Sequence, residues 1–386
     1  MRKYFEFYNG TKINCGESAL NSLGTELNYL GCKKPMLLCS SGAEKLGIVE
    51  KVCAFIPHDA ATEVQVYSGI PNKVDVDIVN EIKKTYLAKE LDGIIAVGGD
   101  GVMDTAKCLK MFLAQDCEEI LPIASIQNQK EKEVPMIAIP TENGSGKEAN
   151  GYFEAGEYHI STRSLIPNVV IIDEDTAMTA PIRVVAACGA YALANAIEAY
   201  IEAEEGDPSE LYAEKAIRLL SANLVKSAKD SDNKEACRAT ALASTLAGIA
   251  YGNAPYGAAH ALAEGLADVT GEPLEEMFGI TIVPAMQKAR QKYEDRIKNL
   301  LLSLTNATVY AETPDSERAM KAISSVEDIL KELNKLGKLP TKITQTKITR
   351  EAFGAIAEAA AGKRAAITAF SPITKEEFIQ LLNSAY

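Results

Sequence analysis

The chain has 386 residues, too many for one ordinary core and suited to two domains. Hydrophobic residues at 47% and charged residues at 24% give a soluble, globular balance, and a net charge of −13 without any basic run excludes nucleic acid as a partner. No apolar run in the sequence approaches bilayer length, and the start Met1-Arg2-Lys3-Tyr4-Phe5-Glu6 lacks the apolar core of a signal segment, so the expectation is a cytoplasmic protein with no membrane partner.

In chain order, short apolar runs alternate with amphipathic stretches. Pro35-Met36-Leu37-Leu38-Cys39 reads as a buried strand, followed by a helix over 43–55. A strand at 63–67 and a helix over 74–88 come next, then a strand at 93–97 and a helix over 102–113. Strands at 136–139 and 169–172 complete a rhythm that implies a parallel sheet with helices on both faces. After about residue 180 strand signals nearly vanish. Ala-rich helical patterns take over at 183–202, 209–228, 234–250 and 259–267 and continue to Tyr386. Gly206-Asp207-Pro208 and Gly271-Glu272-Pro273 read as interhelical turns. The expected architecture is α/β plus all-α: a Rossmann-like nucleotide-binding domain over 1–178, an all-helical domain over 179–386, and a cleft between them. Eight cysteines, at 15, 32, 39, 53, 108, 117, 188 and 237, form no CxxC pair and read as buried reduced thiols.

Gly98-Gly99-Asp100-Gly101 follows one predicted strand and opens a predicted helix. Glycines there let backbone N–H groups approach a pyrophosphate, and the helix N-terminus favours an anion. Alone, the pattern fits a structural tight turn equally well.

The longer run Gly98-Gly99-Asp100-Gly101-Val102-Met103-Asp104-Thr105-Ala106-Lys107 resembles the Gly-Gly-Gly-Ser-x-x-Asp-x-Ala-Lys motif of the iron-containing alcohol dehydrogenases. Ile139-Pro140-Thr141-Glu142-Asn143-Gly144-Ser145-Gly146-Lys147-Glu148 resembles their Ile-Pro-Thr-Thr-x-Gly-Thr-Gly-Ser-Glu motif. Pro167–Asp173, Ala-Ile-Glu-Ala-Tyr at 196–200, Ser-Thr-Leu-Ala-Gly-Ile-Ala at 244–250 and His-Ala-Leu-Ala at 260–263 follow in the family's order. The resemblance spans nearly the whole chain and implies the dehydroquinate synthase-like fold, an α/β nucleotide domain followed by an all-α domain. It implies that Gly98, Gly99, Asp100 and Gly101 embrace the pyrophosphate of NAD or NADP, with Thr141 and Ser145 lining the cofactor cleft. Asp104 and Lys107 are either functional or a helix-stabilising pair. Where NAD-preferring relatives carry an Asp, this chain has Ser40, which leaves room for the 2′-phosphate of NADP.

The family's metal site uses an Asp, a His four residues later and two further His. Tyr191 stands where the Asp is expected and Asn195 where the first His is expected. His260 matches the third ligand, while Pro273-Leu274-Glu275-Glu276 lacks the fourth, leaving Glu272 or Glu275 as the nearest oxygen donors. The other two histidines, His58 and His159, belong to the nucleotide half. One imidazole and a distant carboxylate make a poor cage, so metal is expected to be absent. Glu264 and Glu157 also replace basic family residues, and Lys147 replaces a Ser.

Without metal, Tyr191 is the candidate proton donor, with Lys147 as a nearby cation or substrate anchor and His260 beside it. The leading expectation is NAD(P)H-dependent reduction of a small carbonyl compound to an alcohol, as in the similar metal-independent maleylacetate reductases. A homodimer is compatible with the resemblance. The alternative is a nucleotide-binding protein that has lost dehydrogenase turnover. A dehydroquinate synthase-like cyclase fits less well, because its basic phosphate-binding side chains have no counterpart.

Overall fold

The inner strands of the parallel sheet grow from short runs in which nearly every residue is apolar, the composition of strands covered on both faces. In the computed structural model the described residues are 5–57, 63–120, 133–142, 144–156, 158–177, 180–203, 206–368 and 372–386; His58 and Glu157 lie outside them. Eight strands occur among these residues: β1 (Lys12–Gly16), β2 (Pro35–Cys39), β3 (Gln65–Tyr67), β4 (Gly93–Gly98), β5 (Met136–Pro140), β6 (Tyr152–Ala155), β7 (Tyr158–Ser161) and β8 (Val169–Asp173). Six form one parallel sheet in the order β1-β8-β5-β4-β2-β3, and β6 and β7 form a separate antiparallel hairpin. The four inner strands β2, β4, β5 and β8 are buried at every position. Leu37 faces Ile95 and Ile95 faces Ile137 across the register.

The helices of this unit are α1 (Leu23–Tyr29), α2 (Ser41–Lys45), α3 (Ile48–Ala54), α4 (Val76–Ala88), α5 (Asp100–Gln115) and α6 (Glu174–Ala177). The helix expected over 43–55 is divided in two, because Gly47 takes a left-handed φ of 71° between α2 and α3. The strand expected at 63–67 is shorter, starting at Gln65. From β2 the chain steps to β3 on one side and then returns past β2 to β4, so strand order reverses between β2 and β4. The carboxyl ends of strands at such a reversal are where doubly wound sheets bind ligands. Here Cys39 faces Val97 and Gly98 faces Pro140, so Ser40, the glycine loop and Thr141 emerge at one edge of the sheet.

The chain divides into two compact units, Tyr8–Ala180 and Pro181–Tyr386, and the residues before Tyr8 go with the second, where Phe7 stacks on Tyr212 at 5.4 Å. The second unit is helical throughout its described residues: α7 (Ile182–Glu202), α8 (Pro208–Lys229), α9 (Lys234–Tyr251), α10 (Ala258–Thr270), α11 (Leu274–Leu304), α12 (Ala307–Glu312), α13 (Asp315–Gly337), α14 (Phe353–Ala361), α15 (Arg364–Thr368) and α16 (Lys375–Ser384). Asp207 caps α8 through its carboxylate, with Pro208 at the first helical position. One expectation needs correcting here. α7 is long and apolar enough to cross a membrane, but 94% of its most apolar stretch is buried. Its alanines and Gly189 spread the hydrophobicity over many small side chains, so no bulky run marks it in the sequence, and they let neighbouring helices pack closely.

Candidate active site

At the sheet edge, the glycine loop is held by its own neighbours. Gly98 ends β4, Gly99 precedes α5, and the Thr141 N–H donates to the Gly98 carbonyl at 3.2 Å, joining the two sequence motifs. A Cβ at Gly101 would stand 2.5 Å from the Pro71 carbonyl oxygen and 2.6 Å from Asn72 Cα, so that glycine answers to a backbone crossing close above it. A Cβ at Gly99 would meet the Glu142 carboxylate, 2.5 Å from Cδ and 2.7 Å from Oε1. Asp100, the first residue of α5, has a buried Oδ2 with no hydrogen-bond partner among the described residues. Thr141 and Ser145 are buried beside the loop. Ser40 is the N-cap of α2, its Oγ accepting from the Ala43 N–H at 3.2 Å.

Beneath the loop lies a buried charged network. Asp104 does not pair with Lys107 along the helix; it accepts from Lys147 Nζ at 2.7 Å, with both side chains buried. Lys107 turns instead to the Tyr152 carbonyl at 2.6 Å and Asn150 Oδ1 at 3.2 Å. Burial pushes the Asp104 carboxyl up to about 7 against the pull of Lys147 and Lys107. Burial likewise lowers the Lys107 ammonium to about 7, opposed mainly by Asp104. Lys147, expected as a nearby cation or substrate anchor, is buried and pairs with Asp104 within the α/β unit. On the hairpin, the Tyr152 hydroxyl lies 2.6 Å from Glu154 Oε1 and 2.8 Å from His159 Nδ1.

In the helical unit, Tyr191, Asn195 and Glu198 share one face of α7, spaced one helical turn apart. His260, near the start of α10, is gripped from both sides. Nδ1 bonds to Glu198 Oε2 and Nε2 to Asn195 Oδ1, the latter at 2.6 Å. An Asn amide can meet Nε2 with its oxygen or its nitrogen, so it serves charged and neutral imidazole alike. Glu198 also accepts from the Ala259 N–H at 2.5 Å and the Gly257 N–H at 3.2 Å. Its carboxylate thus caps α10 with an anion at the positive end of the helix. Aromatic rings fill the space around His260. Tyr251 lies 4.4 Å away, Phe278 meets it edge-on at 4.7 Å, and Tyr191 is tilted at 5.7 Å. Tyr191 in turn stacks flat on Phe278 at 4.3 Å and is almost fully buried. Burial holds the Tyr251 hydroxyl well above its ordinary range.

These residues do not fit a resident metal ion. Both imidazole nitrogens are bonded to protein groups, and two aromatic rings stand where further donors would have to converge. Among the described residues, no three His, Cys, Asp or Glu side chains are grouped to hold a metal. Sequence reading picks out Tyr191, Asn195 and His260 but misses Glu198, Tyr251 and Phe278. The signal for Glu198 is its place three residues after Asn195, on the same helix face. No comparable signal marks Phe278, which reaches the cluster from α11.

Comparison with known proteins agrees with this fold and with these motifs. Residues 10–174 match the iron-containing alcohol dehydrogenase family and residues 185–386 match the Fe-containing alcohol dehydrogenase family, C-terminal. The choline dehydrogenase of Bacillus subtilis is 26% identical over 342 residues, 86% of this chain and 84% of that protein. An NADPH-dependent butanol dehydrogenase of Clostridium saccharobutylicum is 26% identical over 381 residues, 94% of each. Among solved structures, a 1,3-propanediol oxidoreductase superposes with a TM-score of 0.88 over 100% of both chains at 22% identity, a likeness of fold. The chain belongs to the iron-containing alcohol dehydrogenase family and is an oxidoreductase of that family.

Proposed function

We propose that this protein uses a nicotinamide dinucleotide to reduce a small carbonyl compound to an alcohol without a resident metal. The observation that carries the metal-free part is the commitment of both His260 nitrogens, one to Glu198 and one to Asn195. The NADPH dependence named for the Clostridium relative supports a dinucleotide, and Ser40 at the end of β2 favours NADP over NAD. The bound dinucleotide would supply a hydride to the carbonyl carbon, and the oxygen then requires a proton. Tyr191 supplies it, a phenol held by Phe278 and facing the His260 ring at 5.7 Å. His260 is a positioning residue, fixed by Glu198 from below. Within the α/β unit, Gly98, Gly99, Asp100, Gly101, Thr141 and Ser145 would bind the dinucleotide, and Lys147 orders that region through Asp104.

The test is elemental analysis of protein purified without chelator, combined with NAD(P)H oxidation against a panel of aldehydes, ketones and keto acids. Far less than one iron or zinc per chain, with turnover unaffected by EDTA, is the expected result. Near-stoichiometric metal whose removal abolishes turnover would overturn the metal-free mechanism.

A further inference from the structure

The helical unit contains a cavity of about 240 Å³ that none of the residues assigned above to the dinucleotide or to proton transfer lines. All of its lining residues belong to Pro181–Tyr386. On α7 the lining residues Ala194, Ile197 and Ile201 are spaced three and four apart, and on α11 Ile282, Ala285 and Ala289 repeat that spacing, so each helix turns one apolar stripe to the space. Alanine side chains make the room: where helices face each other across a methyl group, a longer side chain would close the gap. Glu198 forms part of the wall, already accepting from the Ala259 and Gly257 N–H groups and bonded to His260. The other charged lining residues are Glu202, Lys292 and the Lys288–Glu377 ion pair, which is 2.6 Å long and partly exposed.

We infer that this cavity binds a small uncharged aliphatic molecule of about six to ten carbon atoms, its chain between α7 and α11 and its polar end toward the Lys288–Glu377 pair. An engineered apolar cavity of about 150 Å³ stays dry and binds benzene, and this one is larger. The aliphatic walls reward each buried methylene. They penalise charge, since an ion would have to leave water for apolar side chains. The lining carboxylates of Glu198, Glu202 and Glu377 outnumber the ammonium groups of Lys288 and Lys292, so an anion is disfavoured further. An occupant also lies against the residue that anchors His260, so its arrival is felt at that imidazole through Glu198. The site is built without the α/β unit, so it can be filled whether or not a dinucleotide is bound.

Isothermal titration of 1-butanol, 1-pentanol, 1-hexanol and hexanoate into the full-length protein, without dinucleotide, tests this. Each added methylene should tighten binding roughly fourfold. Hexanoate should bind at least about tenfold more weakly than 1-hexanol. Ala285→Phe fills the cavity and should weaken 1-hexanol binding at least about tenfold. Ala289→Leu fills it from a half-buried position and gives the same reading if circular dichroism shows Ala285→Phe to be unfolded. In a nuclear magnetic resonance spectrum of the histidine ring nitrogens, 1-hexanol should shift His260 more than His159, and the filled variants should lose that shift. Undetectable binding of 1-hexanol by the parent, or binding unchanged in a folded filled variant, would overturn the site. Hexanoate binding as tightly as 1-hexanol would overturn the uncharged occupant. A larger shift at His159 than at His260 would also overturn the site, by placing the molecule in the α/β unit.

Discussion

Two helices in this protein begin beside a glutamate packed on a glycine, one in each unit. At α10 the carboxylate of Glu198 lies against Gly257, accepts two N–H groups from the helix start and binds His260. At α5 the carboxylate of Glu142 lies against Gly99, partly exposed. Glu198 is buried and held by several donors, so it fixes the structure around it. Glu142 follows β5 on a loop and is only partly buried. The two regions have also diverged from the family differently. The glycine loop keeps Gly98 and Gly99 of the family motif, with Asp100 in place of its third glycine and Gly101 in place of its serine. The cluster of Tyr191, Asn195 and His260 depends on side chains, and there Tyr191 and Asn195 depart from the family's ligand pattern.

The sharpest test of that contrast falls on the helical unit. Tyr191→Phe preserves the stacking on Phe278 and removes only the hydroxyl. If Tyr191 donates the proton, turnover should fall by roughly two to four orders of magnitude, the range for losing a general acid. KM should change much less, since the interaction strengthens in the transition state. A rate near that of the parent would move proton donation elsewhere, with Tyr152 and its partners Glu154 and His159 the next group to test.

The next effect falls on the α/β unit. Gly99→Val should lower dinucleotide affinity by about two orders of magnitude, since a branched side chain fills the approach to the loop. The fold should survive, because the new side chain meets a movable carboxylate and not backbone. Titration and thermal unfolding separate the two outcomes. Unchanged binding would mean that the loop is a turn only, as the backbone crossing at Gly101 already is in part.

Much of this arrangement is legible in the sequence. β2, β4, β5 and β8 are, because strands covered on both faces are nearly all apolar. β1 is not: Lys12-Ile13-Asn14-Cys15-Gly16 lies at the sheet edge and is never fully buried, so it needs no apolar run. The β6–β7 hairpin hides behind polar cross-strand partners such as Glu154 and His159. The departure from the family's ligand pattern at Tyr191 and Asn195 is legible because it is a matter of residue identity at fixed spacing. What replaced it is not, since Phe278 and Tyr251 join His260 only through helix packing. The contact of Glu142 with Gly99 depends likewise on the register of β4 with β5.

A smaller effect comes from the buried charges under the loop. The folded chain holds the Asp104 proton up to about 7, while the unfolded chain releases it near the ordinary value of 3.8. Folding therefore binds a proton between those limits, and stability falls as pH rises through the window, by at most about 1.4 kcal/mol per pH unit. Lys107 acts in the next window: the folded chain gives up its proton near 7 and the unfolded chain near 10.5, so its contribution rises with pH between them. Urea unfolding from pH 4 to 10 should show the fall flattened in Asp104→Asn and the rise flattened in Lys107→Met. A parent curve whose two limbs are unaffected by these substitutions would remove the network from the pH dependence.

The smallest expected effect is on cofactor choice, and it can be isolated because Ser40 has a structural duty that Asp performs equally well. Its Oγ caps α2 by accepting from the Ala43 N–H, and Asp is as good an N-cap as Ser. Ser40→Asp should therefore leave thermal stability nearly unchanged while placing a carboxylate at the end of β2, beside the strand reversal. That charge would repel a 2′-phosphate and accept hydrogen bonds from a ribose 2′-hydroxyl. NADPH should bind the parent at least as tightly as NADH does, and Ser40→Asp should weaken NADPH binding roughly tenfold with NADH held or improved. A parent that already prefers NADH strongly and ignores Ser40→Asp would place the 2′-end of the cofactor away from β2.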